Sequence, residues 1–244
     1  MTGPSVAGPS VTGLSVTGLS ARYGRIAVCR GIDLAVDAGE LLLLLGPNGA
    51  GKSSVLGALA GSVASSGEVI VGDCTLNGRP APQRARLGLS LVPEGRRNVF
   101  GPMSVLENLQ LGLRLLPADR RGDMLSWLYG LFPVLQERQQ QQASLLSGGE
   151  QQMLAIAMAV ARRPAVLLLD EPSQGLAPVV LDQLVTAIGG LRKLGLVILL
   201  AEQNVSFAAR LADRFMVLQS GEVKARGSQA ELADHKALAA AMMG

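Results

Sequence analysis

The chain has 244 residues, 48% apolar, 17% charged and 3% aromatic, with a net charge of +3 from 22 basic and 19 acidic side chains. That length gives one large or two small domains with ample core material, the apolar fraction excludes a disordered chain, no apolar run reaches the roughly 18–20 residues of a transmembrane helix, and the charge balance does not point to nucleic acid as a partner. One histidine, His235, excludes Ser-His-Asp, His-ligated zinc and H-E-x-x-H chemistry, while Cys29 and Cys74, without CxxC spacing, exclude a disulfide scaffold and read as buried small residues of a reducing compartment.

Residues 3–22 repeat a five-residue unit four times, GPSVA, GPSVT, GLSVT, GLSAR. Residues 1–12 read as a disordered extension, lacking the basic and apolar regions of a secretory signal. Leu14–Ser20, Ile26–Val36 and Glu40–Leu45 are predicted strands, Gly51–Gly61 a helix, Glu68–Leu76 strand with turns, and Leu89–Val92 a short buried strand. Met103–Leu116, Ala118–Gly130 and Gly148–Arg163 then follow with helical spacing and no strand between them. Strands return at Val166–Asp170, Val197–Ala201 and Phe215–Gln219, separated by helices Pro178–Lys193 and Asn204–Ala212; the tail Ala230–Met243 reads as a short Ala-rich helix. The outline is one α/β domain over 13–244, a parallel sheet covered on both faces, with a nearly all-helical insertion at 93–163.

Gly46-Pro47-Asn48-Gly49-Ala50-Gly51-Lys52-Ser53 matches G-x-x-x-x-G-K-[ST] between an apolar strand and a helix. Glycines let backbone N–H groups converge on phosphate oxygens, and the helix start through Ser54 adds positive potential. Lys52 is the candidate for the β/γ-phosphates and Ser53 for Mg²⁺. Val166–Asp170 is an apolar strand ending in Asp170-Glu171. Of such a pair, one carboxylate (Asp170) can hold Mg²⁺ and the next (Glu171) can orient and deprotonate water. Ser147-Gly148-Gly149-Glu150 opens an apolar helix, a second anion-binding helix start.

The phosphate loop, LSGGEQQ at 146–152 and LLLDEP at 167–172, in this order, resemble the nucleotide-binding subunit of ABC transporters over Leu14–Gly244. The resemblance implies a P-loop NTPase core with an antiparallel β subdomain and an inserted helical subdomain. It implies ATP and Mg²⁺, and a head-to-tail pair in which one chain's phosphate loop and the partner's Ser147–Glu150 segment sandwich each ATP. Tyr23 falls where the family stacks an aromatic on adenine. Ser173–Pro178 falls at the D-loop, with Ala177 in place of the usual Asp. Glu94, in VPEGRR, replaces the usual Q-loop Gln, and Gln203, in AEQN, the usual switch His; Asn98 is a one-residue insertion after Arg96-Arg97.

These departures resemble the branch that energises branched-chain amino acid uptake. That branch implies a heterodimer with a sister ATPase (a homodimer being the alternative), two transmembrane permease subunits, an extracytoplasmic solute-binding protein, no nucleic acid, and a place on the cytoplasmic face of a bacterial inner membrane. An importer for urea, amides or another small solute is the alternative, ahead of a non-transport ABC ATPase or a non-hydrolysing scaffold. Gln203 can hydrogen-bond to phosphate or water but cannot titrate near neutral pH, which leaves Glu171 as the candidate base. Trp127, Tyr129 and Phe132 are core residues or part of a permease groove; Arg96, Arg97, Arg120 and Arg121 form a solvated face or a partner contact.

Overall fold

The computed structural model describes residues 13–232; the 1–12 extension and most of the expected tail helix lie outside the described residues. The strands are β1 (Gly13–Tyr23), β2 (Ile26–Asp37), β3 (Leu41–Leu45), β4 (Ala64–Val71), β5 (Cys74–Thr75), β6 (Leu89–Val92), β7 (Val166–Asp170), β8 (Val197–Glu202), β9 (Arg214–Gln219) and β10 (Glu222–Ser228). They form an antiparallel sheet, β2-β1-β4-β5, and a six-stranded sheet, β10-β9-β3-β8-β7-β6. The second sheet is parallel from β9 to β6, whereas β10 pairs antiparallel at its edge, so the expectation of a purely parallel sheet is corrected there.

The five-residue repeat meets a strand period of two in β1. Five is odd, so Leu14 and Leu19 would face opposite sides of a regular strand. The register steps from Val16↔Leu34 to Leu19↔Ile32, and on the other side from Thr17↔Glu68 to Ser20↔Ser66, extruding one residue as a bulge. Gly18 takes the left-handed turn, φ 61°, and its N–H donates to Asp33 Oδ1 at 2.6 Å. Leu14 and Leu19 are both 1% exposed on the same core face as a result.

Strand alternation sorts the apolar residues of the second sheet into two layers. Leu41, Leu43 and Leu45 of β3, with Leu167, Leu169, Ile198 and Leu200, face one core. Leu42 and Leu44, with Val166, Leu168, Val197 and Leu199, face the other, against β1, β2 and β4. The helix after β3, α1 (Lys52–Ala60), buries its apolar residues in that second layer. Next comes α2 (Ala81–Arg86), which the hydrophobic spacing did not reveal.

Between β6 and β7 the described chain is helical: α3 (Val105–Leu113), α4 (Arg121–Leu131), α5 (Pro133–Glu137) and α6 (Gly148–Val160). Here Ser104 and Glu107 form a capping box that starts α3. Met153, Leu154, Ile156 and Val160 of α6 pack in the first core layer, as their spacing implied. Tyr129 and Phe132 are buried in that layer and Trp127 packs against it partly buried, which favours the core reading. After β7 come α7 (Pro178–Lys193), α8 (Val205–Ala208) and α9 (Gln229–Leu232). The expected Asn204–Ala212 helix is regular for four residues only, capped by Asn204 Oδ1 on Phe207 N–H at 3.0 Å. Cys29 is buried, but Cys74 is exposed on the edge strand β5, correcting the expectation that both are buried. Among the described residues no helix is long and apolar enough to cross a membrane.

Candidate functional site

Three adjacent parallel strands deliver their carboxyl ends to one place, where open α/β sheets bind ligands. β3 runs into loop 46–51, β7 ends in Asp170, and β8, between them, ends in Glu202; Leu45 pairs with Glu202 and Asp170 with Ala201. The loop needs glycine for close approach. A Cβ on Gly46 would lie 2.3 Å from Leu218 O and 2.9 Å from Ala50 Cβ. Gly51, at φ 105°, N-caps α1 with no side-chain hydrogen bond, so the first-turn N–H groups have no side-chain acceptor there. Pro47 O accepts from Ala50 N–H at 3.1 Å, and Gly49 between them has φ 80°. Ser54 lies half-buried in the first turn.

Lys52 is buried and folds back over its own loop, donating from Nζ to Gly46 O at 2.8 Å and Pro47 O at 3.3 Å. The same Nζ lies 3.3 Å from Glu171 Oε1. Gln203 Nε2 donates to that carboxylate oxygen at 3.0 Å and also to Asn48 Oδ1. Glu171 itself sits at φ 45°, a left-handed conformation that non-glycine residues seldom adopt, held by its N–H on Ala201 O at 2.9 Å. Ser53 Oγ donates to Asp170 Oδ1 at 3.0 Å. Burial pushes the Asp170 carboxyl up to about 6, helped by the charges of Glu171 and Glu94 and opposed by Ser53 and Lys52.

The structure thus brings Asn48, Lys52, Ser53, Asp170, Glu171 and Gln203 together, with Glu94 near enough, in a 3-10 turn after β6, for its charge to act on Asp170. Tyr23 closes β1 opposite Ile26 and is 54% exposed, in the hairpin whose β2 arm brings Val28 O to 3.0 Å from where a Cβ on Gly51 would lie. Among the described residues Ser147–Glu150 makes no hydrogen bond or ion pair with this group. Ser147 Oγ accepts from Glu150 N–H at 3.3 Å and Glu150 Oε2 accepts from Ser147 N–H at 2.7 Å, while α6 packs on α3, α5 and β6. Gly149 has no room for a side chain because Val180 Cγ1 of α7 would lie 2.7 Å from its Cβ.

Two roles were not legible in the sequence. Arg96, φ 58°, is half-buried rather than part of a solvated face: its guanidinium donates to Gln152 Oε1 and Gln174 O, both at 3.3 Å, beside Gly148. Arg120 and Arg121 are exposed. Glu202, read only as a motif letter, is a buried acceptor for three backbone N–H groups. Asn98 donates its amide to Ala155 O at 3.0 Å, which fastens the turn after Arg96-Arg97 to α6. Ala177 N-caps α7 without a side-chain hydrogen bond, where an Asp could have supplied one.

The donor set fits a triphosphate: a glycine cradle, an uncapped helix start and a buried ammonium. Among the described residues no three acidic, His or Cys side chains are placed to hold a metal. A hydroxyl and one carboxylate instead suit Mg²⁺, which shares its ligands with substrate phosphates and water.

The ABC transporter family matches residues 29–174. The chain is 40% identical over 226 residues to the high-affinity branched-chain amino acid transport ATP-binding protein BraG of Pseudomonas aeruginosa, covering 92% of this chain and 97% of that one. It is 34% identical over 227 residues to the probable branched-chain amino acid transport ATP-binding protein LivF of Archaeoglobus fulgidus (92% and 96% covered), and 36% identical over 219 residues to the cobalt import ATP-binding protein CbiO of Rhodobacter capsulatus (88% and 78%). A solved structure of the ATP-binding subunit of an ABC transporter superposes with a TM-score of 0.80 at 27% identity, covering 93% of this chain and 94% of that one. With a phosphate-fitting cradle at the strand ends, a family match over 29–174 and a relative 40% identical over 92% of this chain, the chain belongs to the ABC transporter family and is an ATP-binding, ATP-hydrolysing subunit.

Proposed function

We propose that the chain energises a branched-chain amino acid importer, with Glu171 as the general base of hydrolysis. The observation that carries the chemistry is the Lys52–Glu171–Gln203 cluster at the end of the phosphate loop. The solute class is supported by 40% identity to a relative named for branched-chain amino acid transport. A cobalt-import relative at 36% identity shows why the solute needs a transport measurement.

In this reading Lys52 exchanges its ion pair with Glu171 for the incoming triphosphate, which offers a stronger anion. That exchange frees a carboxylate oxygen to accept the proton of the attacking water. Gln203 keeps its amide hydrogen bond to Glu171 and fixes the carboxylate's direction, with no proton of its own to lose. Ser53 Oγ and Asp170 are the ligands proposed for Mg²⁺, which when bound neutralises charge on the β- and γ-phosphates. Tyr23 stacks on adenine. Glu94 faces the metal side, and the Ser147–Glu150 helix start of a partner ATPase covers the γ-phosphate, so two ATPase chains are needed, a sister chain giving the heterodimer. Two permease subunits hold the pair at the cytoplasmic face of the membrane, and a solute-binding protein outside selects the cargo.

Glu171→Gln keeps the shape and the Gln203 contact while removing the proton acceptor. In the transporter complex it is expected to retain ATP binding and lose at least about a hundredfold in turnover, together with leucine uptake. Full turnover in that variant removes Glu171 from the role; normal uptake of leucine, isoleucine and valine after deletion of the gene removes the solute assignment.

A further inference from the structure

Glu202 is 2% exposed and, among the described residues, forms no ion pair. Its oxygens accept backbone N–H groups from two different loops. Oε1 takes Ser173 N–H at 2.9 Å, in the turn between β7 and α7. Oε2 takes Gln203 N–H at 3.1 Å and Asn204 N–H at 3.2 Å, in the turn between β8 and α8. A desolvated carboxylate is a costly way to satisfy backbone donors unless their geometry matters. Only a carboxylate offers two acceptor oxygens and no donor; an amide in its place would set N–H against N–H on one side.

The two loops it joins are those around the reacting group. Gln203, whose backbone it holds, donates from its side chain to Glu171 Oε1 at 3.0 Å. Ser173 lies two residues after Glu171. The next residue, Gln174, is held as well, its carbonyl accepting from Arg96 Nη2 at 3.3 Å, and the same Arg96 donates to Gln152 of α6. Segment 173–174 is therefore tied both to Glu202 and, through Arg96, to the helix that begins at Gly148.

We infer that Glu202 is a positioning residue for hydrolysis. It locks the start of the 173–177 segment to the start of the 203–204 turn, so that Gln203 stays within hydrogen-bond reach of Glu171, and a shift of one loop moves the other. The inference rests on Glu171 being the base and Gln203 its hydrogen-bond partner. It assigns Glu202 no contact with nucleotide.

The test combines hydrogen exchange on the full chain with kinetics in the transporter complex. In the wild-type chain the amides of Ser173, Gln203 and Asn204 are expected to be protected together. Glu202→Gln is expected to lower kcat about tenfold, in the range seen when a supporting hydrogen bond is removed, with KM for MgATP within about twofold. In a Gln203→Ala background the same substitution is expected to cost nothing more, because its route to the reaction runs through Gln203. Unprotected amides in the wild type, undiminished kcat in Glu202→Gln, or a loss that adds fully to that of Gln203→Ala each overturn the proposal. The wild-type exchange does not depend on the variant folding. Turnover retained by Glu171→Gln would instead sink the base assignment, leaving the amide result to stand by itself.

Discussion

Asp170→Asn should make the nucleotide-free protein more stable while abolishing Mg²⁺-dependent hydrolysis. Asp170 is buried, and its pKa rises from the ordinary 3.8 to about 6 in the fold, first through desolvation. Between these values the folded chain holds a proton that the unfolded chain has released, so stability falls as pH rises through that window. Above it the full penalty is present, about 3 kcal/mol for the interval from 3.8 to about 6. Asn is nearly isosteric, carries no charge and can still accept from Ser53 Oγ. The expected gain is up to about 3 kcal/mol at about pH 8, roughly half of that at about pH 5, and about 0.6 kcal/mol at about pH 4. Urea unfolding with metal chelated, at these three pH values, measures it as a midpoint shift at constant slope. A variant that is no more stable at pH 8, or whose advantage is the same at every pH, refutes the burial argument.

Arg84→Met should destabilise the chain by about 2–4 kcal/mol in the same assay, because buried Arg84 donates to Ala58 O, Leu59 O and Arg79 O at 2.8–2.9 Å and so caps the C-terminus of α1; a loss below about 1 kcal/mol would show those carbonyls finding water instead. Gly46→Ala drives a Cβ to within 2.3 Å of Leu218 O, and the displaced loop should cost about 1–3 kcal/mol and weaken ATP binding at least tenfold by fluorescent-nucleotide titration; unchanged affinity would mean that the strand beside the loop yields instead.

Several elements were legible to the residue. Leu89–Val92, Val166–Asp170 and Pro178–Lys193 have the boundaries that their apolar patterns set. They are a central strand buried on both faces, an edge strand almost as deeply buried, and a helix with a clear stripe, where hydrophobic burial dominates every other term. Three elements were not foreseen. β10 is an edge strand with no fully buried residue; Val223, Ala225 and Gly227 alternate with polar side chains, but only one of the three is a sizeable apolar group, too weak a pattern to mark a strand. α2 has a single buried side chain, and that is an arginine. α5 has five residues, too few for a period. The repeat in β1 was visible, but the bulge that reconciles five with two was not, since pairing with β2 and β4 creates it.

By itself the sequence determined the chemistry available. The spacing of Gly46, Gly51, Lys52 and Ser53 prescribes a phosphate loop, because backbone freedom at glycine is a local property, and one histidine at 235 already ruled out a His switch at 203. Tertiary structure alone decided which groups meet. The order β3-β8-β7 sets Lys52 against Glu171, Ser53 against Asp170, and Glu202 between two loops whose bonded residues, Ser173 and Glu202, are 29 positions apart. It also set the pKa of Asp170, since desolvation depends on everything packed around a carboxyl rather than on its neighbours in the chain.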